Sequence, residues 1–257
     1  LAMEMFEKGL LSREQTGGLD LTWGNTEAAM ALLRHIAARE GLGNTLAEGA
    51  RRAAERLGVP DMAIYTMKGA TPRSHDHRAA WREQFDTCVS NTGTIEAETN
   101  MRVEALGLPA ITDPFSAQQV SSAVARSKGY FQLIDSLGIC RMTNKEVPDI
   151  IVRMINAATG WDLTWDEVMQ VGRRAVHLLR AFDVRCGVAG PDMDRPSPRY
   201  GSAPVDGPAQ GKSTAPVWDQ MLENYYELMG WDSATGKPLP ETLAMAGLDS
   251  VVRDLWR

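Results

Sequence analysis

The sequence predicts a mostly α-helical, multi-helical protein made of two packed helical subdomains with minimal sheet. Three observations indicate this fold class. Apolar residues recur with the 3.6-residue period of a helix through most of the chain. Many of these segments begin at a capping residue or end at a glycine. Only one short stretch, MAIYTMKG at residues 62–69, has the alternation and composition of a strand.

The first part of the chain predicts three helices. The segment LAMEMFEKG forms an amphipathic helix that ends near Gly9. The next helix begins after Asn25, a favourable N-cap, and closes at Gly41. A third helix is predicted over residues 44–58. Two capped helices in succession indicate an antiparallel helical hairpin.

The rest of the chain predicts a further series of helices. Two of them open with a capping box, Ser116 with Gln119 and Thr164 with Glu167. The predicted helical segments cover residues 79–88, 99–107, 116–137, 147–160, 163–182, 217–230 and 248–256.

Two features divide the chain. The first helical group ends near Lys68, which predicts one helical unit at 1–67 and a second at 68–257. Helix and strand signals disappear over residues 186–216, where proline, glycine, aspartate and serine are frequent. A loop of this length is expected to be either functional or mobile. The chain begins with Leu1 inside a predicted helix, so we expect that a preceding part is missing.

Composition excludes several classes of protein. The net charge of −6 and pI near 5.3 argue against a surface for nucleic acid or anionic membrane. No apolar run approaches the roughly 20 residues of a membrane helix, and no signal peptide is visible. Three cysteines do not form a disulfide framework and fit a reducing compartment, so we expect a cytoplasmic protein.

Common catalytic motifs are absent from the sequence. It has no glycine-rich phosphate loop, no Gly-x-Ser-x-Gly and no His-Glu-x-x-His. The cysteines lack pairwise metal-ligand spacing; Cys88 is interpreted as a core thiol and Cys186 as a partly buried structural thiol. His35 and His177 are interpreted as satisfied histidines of a core or helix face.

A second pair of histidines stands in a polar loop. His75 and His77 flank Asp76, and ligands at this spacing can chelate a metal. A solvated polar loop explains the same residues, so both interpretations stay open.

The stretch YFQLIDSLGICRM holds the most suggestive cysteine. A helix is predicted to end at Gly138, with Asp135, which we expect to be buried, before it and Cys140 just after it. A thiolate in such a turn could ligate an iron–sulfur cluster. A helix C-cap followed by a buried thiol fits the same pattern. A four-ligand cluster needs more cysteines than the single well-placed one in this chain.

The same stretch resembles a motif of the tungsten-pterin aldehyde ferredoxin oxidoreductases. That family carries Asp-x-x-Gly-Leu-Cys near a helix end, and here the residues are Asp135-Ser136-Leu137-Gly138-Ile139-Cys140. Further segments look similar in the same order: TGGLDLTWGN, IAAREGLGNTLAEGARRAAERLG, YTMKGATPRSHDHR, NAATGWDLTWDEVMQVGRRAVHLLRAFDVRCG, DGPAQG and NYYELMGWDSATGKPLPETLAMAGLDSVV. The resemblance spans nearly the whole chain. It implies the fold of the family's C-terminal region, the end of the middle domain plus the last domain.

The resemblance implies a cofactor site at this motif. Cys140 would be the fourth ligand of a 4Fe-4S cluster, whose other three ligands would come from a Cys-x-x-Cys-x-x-x-Cys stretch before Leu1. Asp135 would hydrogen-bond a pterin of a tungsten bis-pyranopterin cofactor of the molybdopterin type, with Gly138 and Ile139 completing the cofactor-binding motif. The implied activity is oxidation of an aldehyde to a carboxylic acid, with electrons passed to ferredoxin or an electron-transfer subunit.

Some positions depart from the family pattern. In the segment VSNTGTIEAE, Glu96 stands where the family has a proton-transferring histidine, and Thr92 stands for an arginine. We therefore predict Glu96 as the catalytic proton-transfer residue. His77 replaces the proline of the family's Asp-Pro-Arg. These changes leave open a second activity within the same family, the reduction of an aryl-CoA thioester.

The hypothesis that the protein is not an enzyme also stays open. The chain lacks three cluster ligands and one pterin motif, so it is expected to be inactive alone, and it could instead be a helical interaction module without the cofactor. The expected partners are the missing N-terminal part, ferredoxin or an electron-transfer subunit, and a second copy in a homo-oligomer.

Overall fold

The predicted helical fold class is confirmed. A computed structural model describes residues 1–93, 96, 101–144 and 146–256. Within these ranges the chain forms helices joined by loops, and isolated bridges pair Thr66 with Pro196 and Trp231 with Pro238. The helices are α1 (Ala2–Glu7), α2 (Thr26–Ala38), α3 (Leu42–Leu46), α4 (Ala50–Arg56), α5 (Trp81–Val89), α6 (Ala117–Ser127), α7 (Tyr130–Ser136), α8 (Pro148–Thr159), α9 (Trp165–Arg185), α10 (Trp218–Met229), α11 (Pro240–Met245) and α12 (Asp249–Leu255).

Three apolar clusters account for most of the core. One joins α5, α6 and α10, where Phe85 contacts Trp218 and Tyr225 at ring-centroid distances of 5.3 and 5.5 Å. A second packs α7 and α8 against α9, and a third packs α1 against α2 and α3. No helix in the described part of the chain is both long and apolar enough to cross a membrane.

Capping signals located several helix starts correctly. The side chain of Asn25 accepts a hydrogen bond from Ala28 N, and Ser116 accepts one from Gln119 N. The reciprocal half of the predicted Ser116 capping box does not form, because Gln119 Oε1 accepts from Thr112 N and Asp113 N and Ser116 N donates to Asp113 O. Thr164 and Glu167 form the predicted reciprocal capping box at the start of α9. The loop between α9 and α10 largely lacks helix, as predicted for residues 186–216. The subdomain boundary at 67/68 stays a prediction.

Two predicted elements near the N-terminus are wrong. The helix predicted over 44–58 is divided between α3 and α4, because Gly49 adopts a φ of +88° at the break. The strand predicted over 62–69 does not form: among the described residues this segment has only the isolated bridge from Thr66 to Pro196, followed by a turn closed by Gly69 N to Thr66 O at 2.7 Å. Its contacts run to the long loop instead, including Met67 N to Arg195 O at 2.8 Å.

The helix predicted over 116–137 is also divided. Gly129, with a φ of +104°, separates α6 from α7. The backbone there lies directly against α9: a Cβ built on Gly172 would stand 1.9 Å from Gly129 O. The break therefore lets α7 pack against α9 at very short range. It also directs Lys128 into the interior, where its side chain is fully buried.

Candidate functional site

The end of α7 positions the predicted cofactor motif. The N–H of Gly138 donates to Asp135 O (3.1 Å), and the N–H of Ile139 donates to Ile134 O (3.4 Å). Gly138 has a φ of +68°, a conformation that favours glycine in a helix-ending turn. The turn leaves Cys140 exposed at the surface, directly after the partly buried Ile139.

Further hydrogen bonds fix the backbone at the cysteine. The carbonyl of Cys140 accepts from Asn144 Nδ2 at 2.7 Å and from Thr143 Oγ1 at 3.2 Å. Cys140 is therefore an exposed residue on an anchored turn, which suits a ligand to an external cluster. The alternative of a buried thiol at this position is wrong.

Asp135 is exposed, so the expectation that it is a buried acid is wrong. Its Oδ1 accepts from Arg141 Nε at 3.0 Å, and its Oδ2 pairs with Arg141 Nη2. The same guanidinium lies 5.4 Å from the ring centre of Phe131. Half-exposed ion pairs contribute little stability. A carboxylate has about four acceptor positions, so Asp135 can accept from a further N–H while it contacts Arg141.

The other two thiols differ from each other in exposure. Cys88 is buried in the core as predicted, and burial raises the pKa of its thiol well above the ordinary value. Cys186 is exposed after the end of α9, so the prediction of a partly buried thiol is wrong.

Glu96 lies in a buried charge cluster. Lys128 donates to Asp86 Oδ1 at 2.6 Å and to Glu96 Oε2 at 2.8 Å, and all three side chains are almost completely buried. The backbone N–H of Glu96 donates to Asp86 Oδ2 at 2.9 Å. Burial acts to lower the pKa of Lys128, but Asp86 and Glu96 outweigh it and raise that pKa. Lys128 is therefore a permanent cation between two carboxylates.

One side of this cluster carries acceptors without a hydrogen-bond partner among the described residues. They are Glu96 Oε1, Asn91 Oδ1 and Asp183 Oδ2. Burial raises the pKa of Asp183 to about 6, although Lys68 and Arg180 act in the opposite direction. Buried acceptors without partners are uncommon in folded proteins and mark places where another group can bind.

Sequence reasoning missed a second buried charge cluster. Asp194 lies fully buried in the long loop. Its carboxylate forms ion pairs with Lys68 Nζ at 2.5 Å and with Arg180 Nη2 at 2.7 Å. Tyr226 Oη donates to the same carboxylate at 2.5 Å, and the Arg180 guanidinium lies 4.4 Å from the ring centre of Trp231. Lys68 stands in the segment YTMKGATPRSHDHR and Asp194 in PDMDRP, but neither local pattern indicates that they meet.

The predicted site residues occupy two places. Glu96 is held by Lys128, just before α7, whereas Asp135 and Cys140 lie at the other end of that helix. Seven helical residues separate the two ends by about 10 Å. His177 is a satisfied buried histidine as predicted, since Trp231 Nε1 donates to its Nδ1 at 3.1 Å.

This arrangement can be compared with known proteins. The family model for aldehyde ferredoxin oxidoreductase, domains 2 and 3, matches residues 1–248. The chain belongs to the aldehyde ferredoxin oxidoreductase family. It is 33% identical over 255 residues to the tungsten-containing aldehyde ferredoxin oxidoreductase of Pyrococcus furiosus, covering 96% of this chain and 41% of that protein. It is also 28% identical over 280 residues to the aliphatic sulfonate oxidoreductase, WOR-like subunit, of the same organism, covering 100% and 40%.

A solved structure shares the fold of this aldehyde ferredoxin oxidoreductase family member. It is the active site complex BamBC of benzoyl coenzyme A reductase with 1,5-dienoyl-CoA, matched with a TM-score of 0.72 and 20% identity over 98% of this chain and 43% of that chain. The chain thus spans about two fifths of the length of the curated relatives described above.

The residues present fit the cofactors that the aldehyde ferredoxin oxidoreductase family implies. An exposed thiol on an anchored turn suits a cluster ligand, and an exposed carboxylate nearby suits pterin N–H donors. A second polar position, near the start of α7, is formed by Glu96 Oε1 and the other two acceptors that have no hydrogen-bond partner in the described part of the chain.

Proposed function

We propose that this chain is the C-terminal part of a tungsten-pterin, iron–sulfur oxidoreductase that oxidises an aldehyde to a carboxylic acid and passes the electrons to ferredoxin. The observation that carries the proposal is the exposed Cys140, on the turn that follows Asp135, in the motif order of the family. When bound, the tungsten-pterin would supply the two-electron chemistry.

The chain's own residues would hold the cofactors. Cys140 would be one thiolate ligand of a 4Fe-4S cluster, and the remaining part of the protein would supply the other three. Asp135 would accept hydrogen bonds from pterin N–H groups while Arg141 keeps its carboxylate in place. Gly138 and Ile139 would set the turn that brings the thiol and the carboxylate to one surface.

A proton acceptor is also needed. Conversion of an aldehyde and water to a carboxylic acid releases two electrons and two protons. Glu96 would accept a proton, because its Oε1 has no hydrogen-bond partner among the described residues while Lys128 holds Oε2. Loss of one positioned acid–base group typically lowers a rate by about 10²–10⁴-fold.

The test compares metal content and activity of the intact protein. Cys140→Ser should lose cluster iron, whereas Cys186→Ser, a matched change at another exposed thiol, should keep it. Glu96→Gln should keep both metals but lower kcat for aldehyde oxidation. Equal iron in the two serine variants, or an intact protein without iron and without tungsten or molybdenum, would refute the proposal and leave a helical interaction module.

A second candidate activity is reduction of an aromatic acyl-CoA thioester. It is favoured by Glu96, which stands where the family's histidine is expected and is bound to a lysine. The fold it shares with the BamBC complex is compatible with this candidate. Activity with aryl-CoA substrates and a low-potential donor, without activity on aldehydes, would favour this candidate over the first.

A further inference from the structure

We propose that His75, His77 and Glu83 form a binding site for a divalent zinc ion, separate from the turn that carries Cys140. The sequence offered only two histidines in a polar loop; the fold adds the carboxylate of Glu83 from the first turn of α5. One ligand atom from each of the three side chains lies within 4.8 Å of the other two. Two histidines and one glutamate are a ligand set that zinc uses in proteins.

The orientation of His77 is the main argument. Its side chain is only 1% exposed, and its Nδ1 is hydrogen-bonded to Tyr200 Oη at 2.5 Å. Its Nε2 lies 3.0 Å from Glu83 Oε1. The two groups are nevertheless not oriented for a hydrogen bond. His77 Nε2 is therefore a buried nitrogen without a hydrogen-bond partner among the described residues. A metal ion placed beside both atoms would give His77 Nε2 a partner and would use a carboxylate oxygen that now contacts Arg73.

The spacing of the atoms suits zinc. Zinc binds nitrogen and carboxylate oxygen at about 2.0–2.2 Å in tetrahedral geometry, which puts neighbouring ligand atoms about 3.3 Å apart. The 3.0 Å between His77 Nε2 and Glu83 Oε1 is close to this value. His75 is exposed, so its ring can move the remaining distance toward the ion.

Neighbouring residues hold His77 and its turn in place, and a cleft leaves the proposed zinc position open to solvent. Tyr200 fixes the ring of His77 through Nδ1, the usual position of an outer hydrogen bond to a metal-binding histidine. Asp76 caps the short helix His77–Ala79 and holds the start of that turn. A cleft of about 310 Å³, lined in part by Thr71, Tyr200 and both histidines, gives solvent access for a fourth ligand such as water.

Arg73 competes for the same carboxylate. Its Nε donates to Glu83 Oε1 at 3.1 Å, and its Nη2 contacts the same oxygen. The Arg73 side chain is 44% exposed and can move into solvent, whereas Glu83 is 8% exposed and stays in place. Zinc would replace one positive charge beside Glu83 with two. Removal of Arg73 should therefore strengthen zinc binding rather than weaken it.

The test uses zinc chloride alone as the probe, titrated into the purified protein after treatment with a chelating resin. The wild type should bind one zinc ion per chain at this site. His75→Gln, an exposed change with little risk to folding, should weaken binding at least tenfold. Tyr200→Phe should weaken it by about 10–100-fold, and Arg73→Gln should strengthen it. The control His35→Gln alters a histidine on α2 and should leave binding unchanged.

Equal affinities of the wild type and His75→Gln, or no saturable zinc binding by the wild type, would overturn the proposal. The readout is separate from the proposed oxidoreductase activity: Cys140→Ser should lose iron but keep this zinc ion. Failure of either proposal therefore leaves the other intact.

Discussion

Replacement of Lys128 by methionine should strongly destabilise the protein. The Lys128 ammonium is fully buried between Asp86 Oδ1 at 2.6 Å and Glu96 Oε2 at 2.8 Å. Methionine has similar length but no charge, so the change removes the ammonium group that the two buried carboxylates share. Removal of one partner of a buried ion pair costs about 3–5 kcal/mol. At about 2–4 °C per kcal/mol for a protein of this size, the midpoint of thermal unfolding should fall by about 6–20 °C.

The assay is thermal unfolding at pH 7, followed by circular dichroism. Lys8→Met is the matched control, because Lys8 pairs with Glu4 at 2.8 Å while its side chain is 53% exposed. Exposed ion pairs contribute less than about 1 kcal/mol. Adding Glu96→Gln to Lys128→Met should recover part of the loss, since one unpaired buried charge is removed. If Lys128→Met is no less stable than Lys8→Met, the argument from buried charge is wrong.

Three further changes test the packing and the buried titratable groups. Burial lowers the pKa of His177 from 6.5 to about 4. Its contribution to the free energy of unfolding is therefore complete above pH 6.5 and is lost as the pH falls toward 4, by about 3 kcal/mol; His177→Gln should flatten this part of a stability-against-pH curve. Burial raises the pKa of Asp183 from 3.8 to about 6. Its ionisation therefore lowers stability as the pH rises through that range, and Asp183→Asn should stabilise the protein at pH 7 by up to about 3 kcal/mol but not at pH 3, as measured by urea unfolding. Gly172→Ala should lower stability by at least about 1–3 kcal/mol, because the new Cβ would stand 1.9 Å from Gly129 O; an increase in the unfolding midpoint, as helix propensity alone predicts, would contradict the close contact.

Helix starts were predictable because capping is a local effect. Asn25, Ser116 and Thr164 each bind a backbone N–H only a few residues away, so their roles are visible in the sequence. The division of residues 116–137 was not predictable in this way. It depends on the approach of Gly129 to Gly172, a contact between two helices that no local pattern reveals.

The candidate site shows the same limit. The Asp135-x-x-Gly-x-Cys140 pattern drew attention to the end of α7, because a helix-ending glycine and a nearby thiol are adjacent in sequence. The exposure of Asp135 and its pairing with Arg141 required the folded surface. The partners of Glu96 and Asp194 come from distant segments, so their buried ion pairs appear only when the helices pack.

The sequence by itself determined the helical class, most helix limits and the motif around Cys140, since each follows from periodicity, capping or short spacing. The tertiary structure alone decided which charges share the interior and that ligand atoms of Glu83, His75 and His77 lie within 4.8 Å of one another. The physical reason is that burial and ion pairing depend on which segments meet in space, and elements separated along the chain carry no local signal of that meeting.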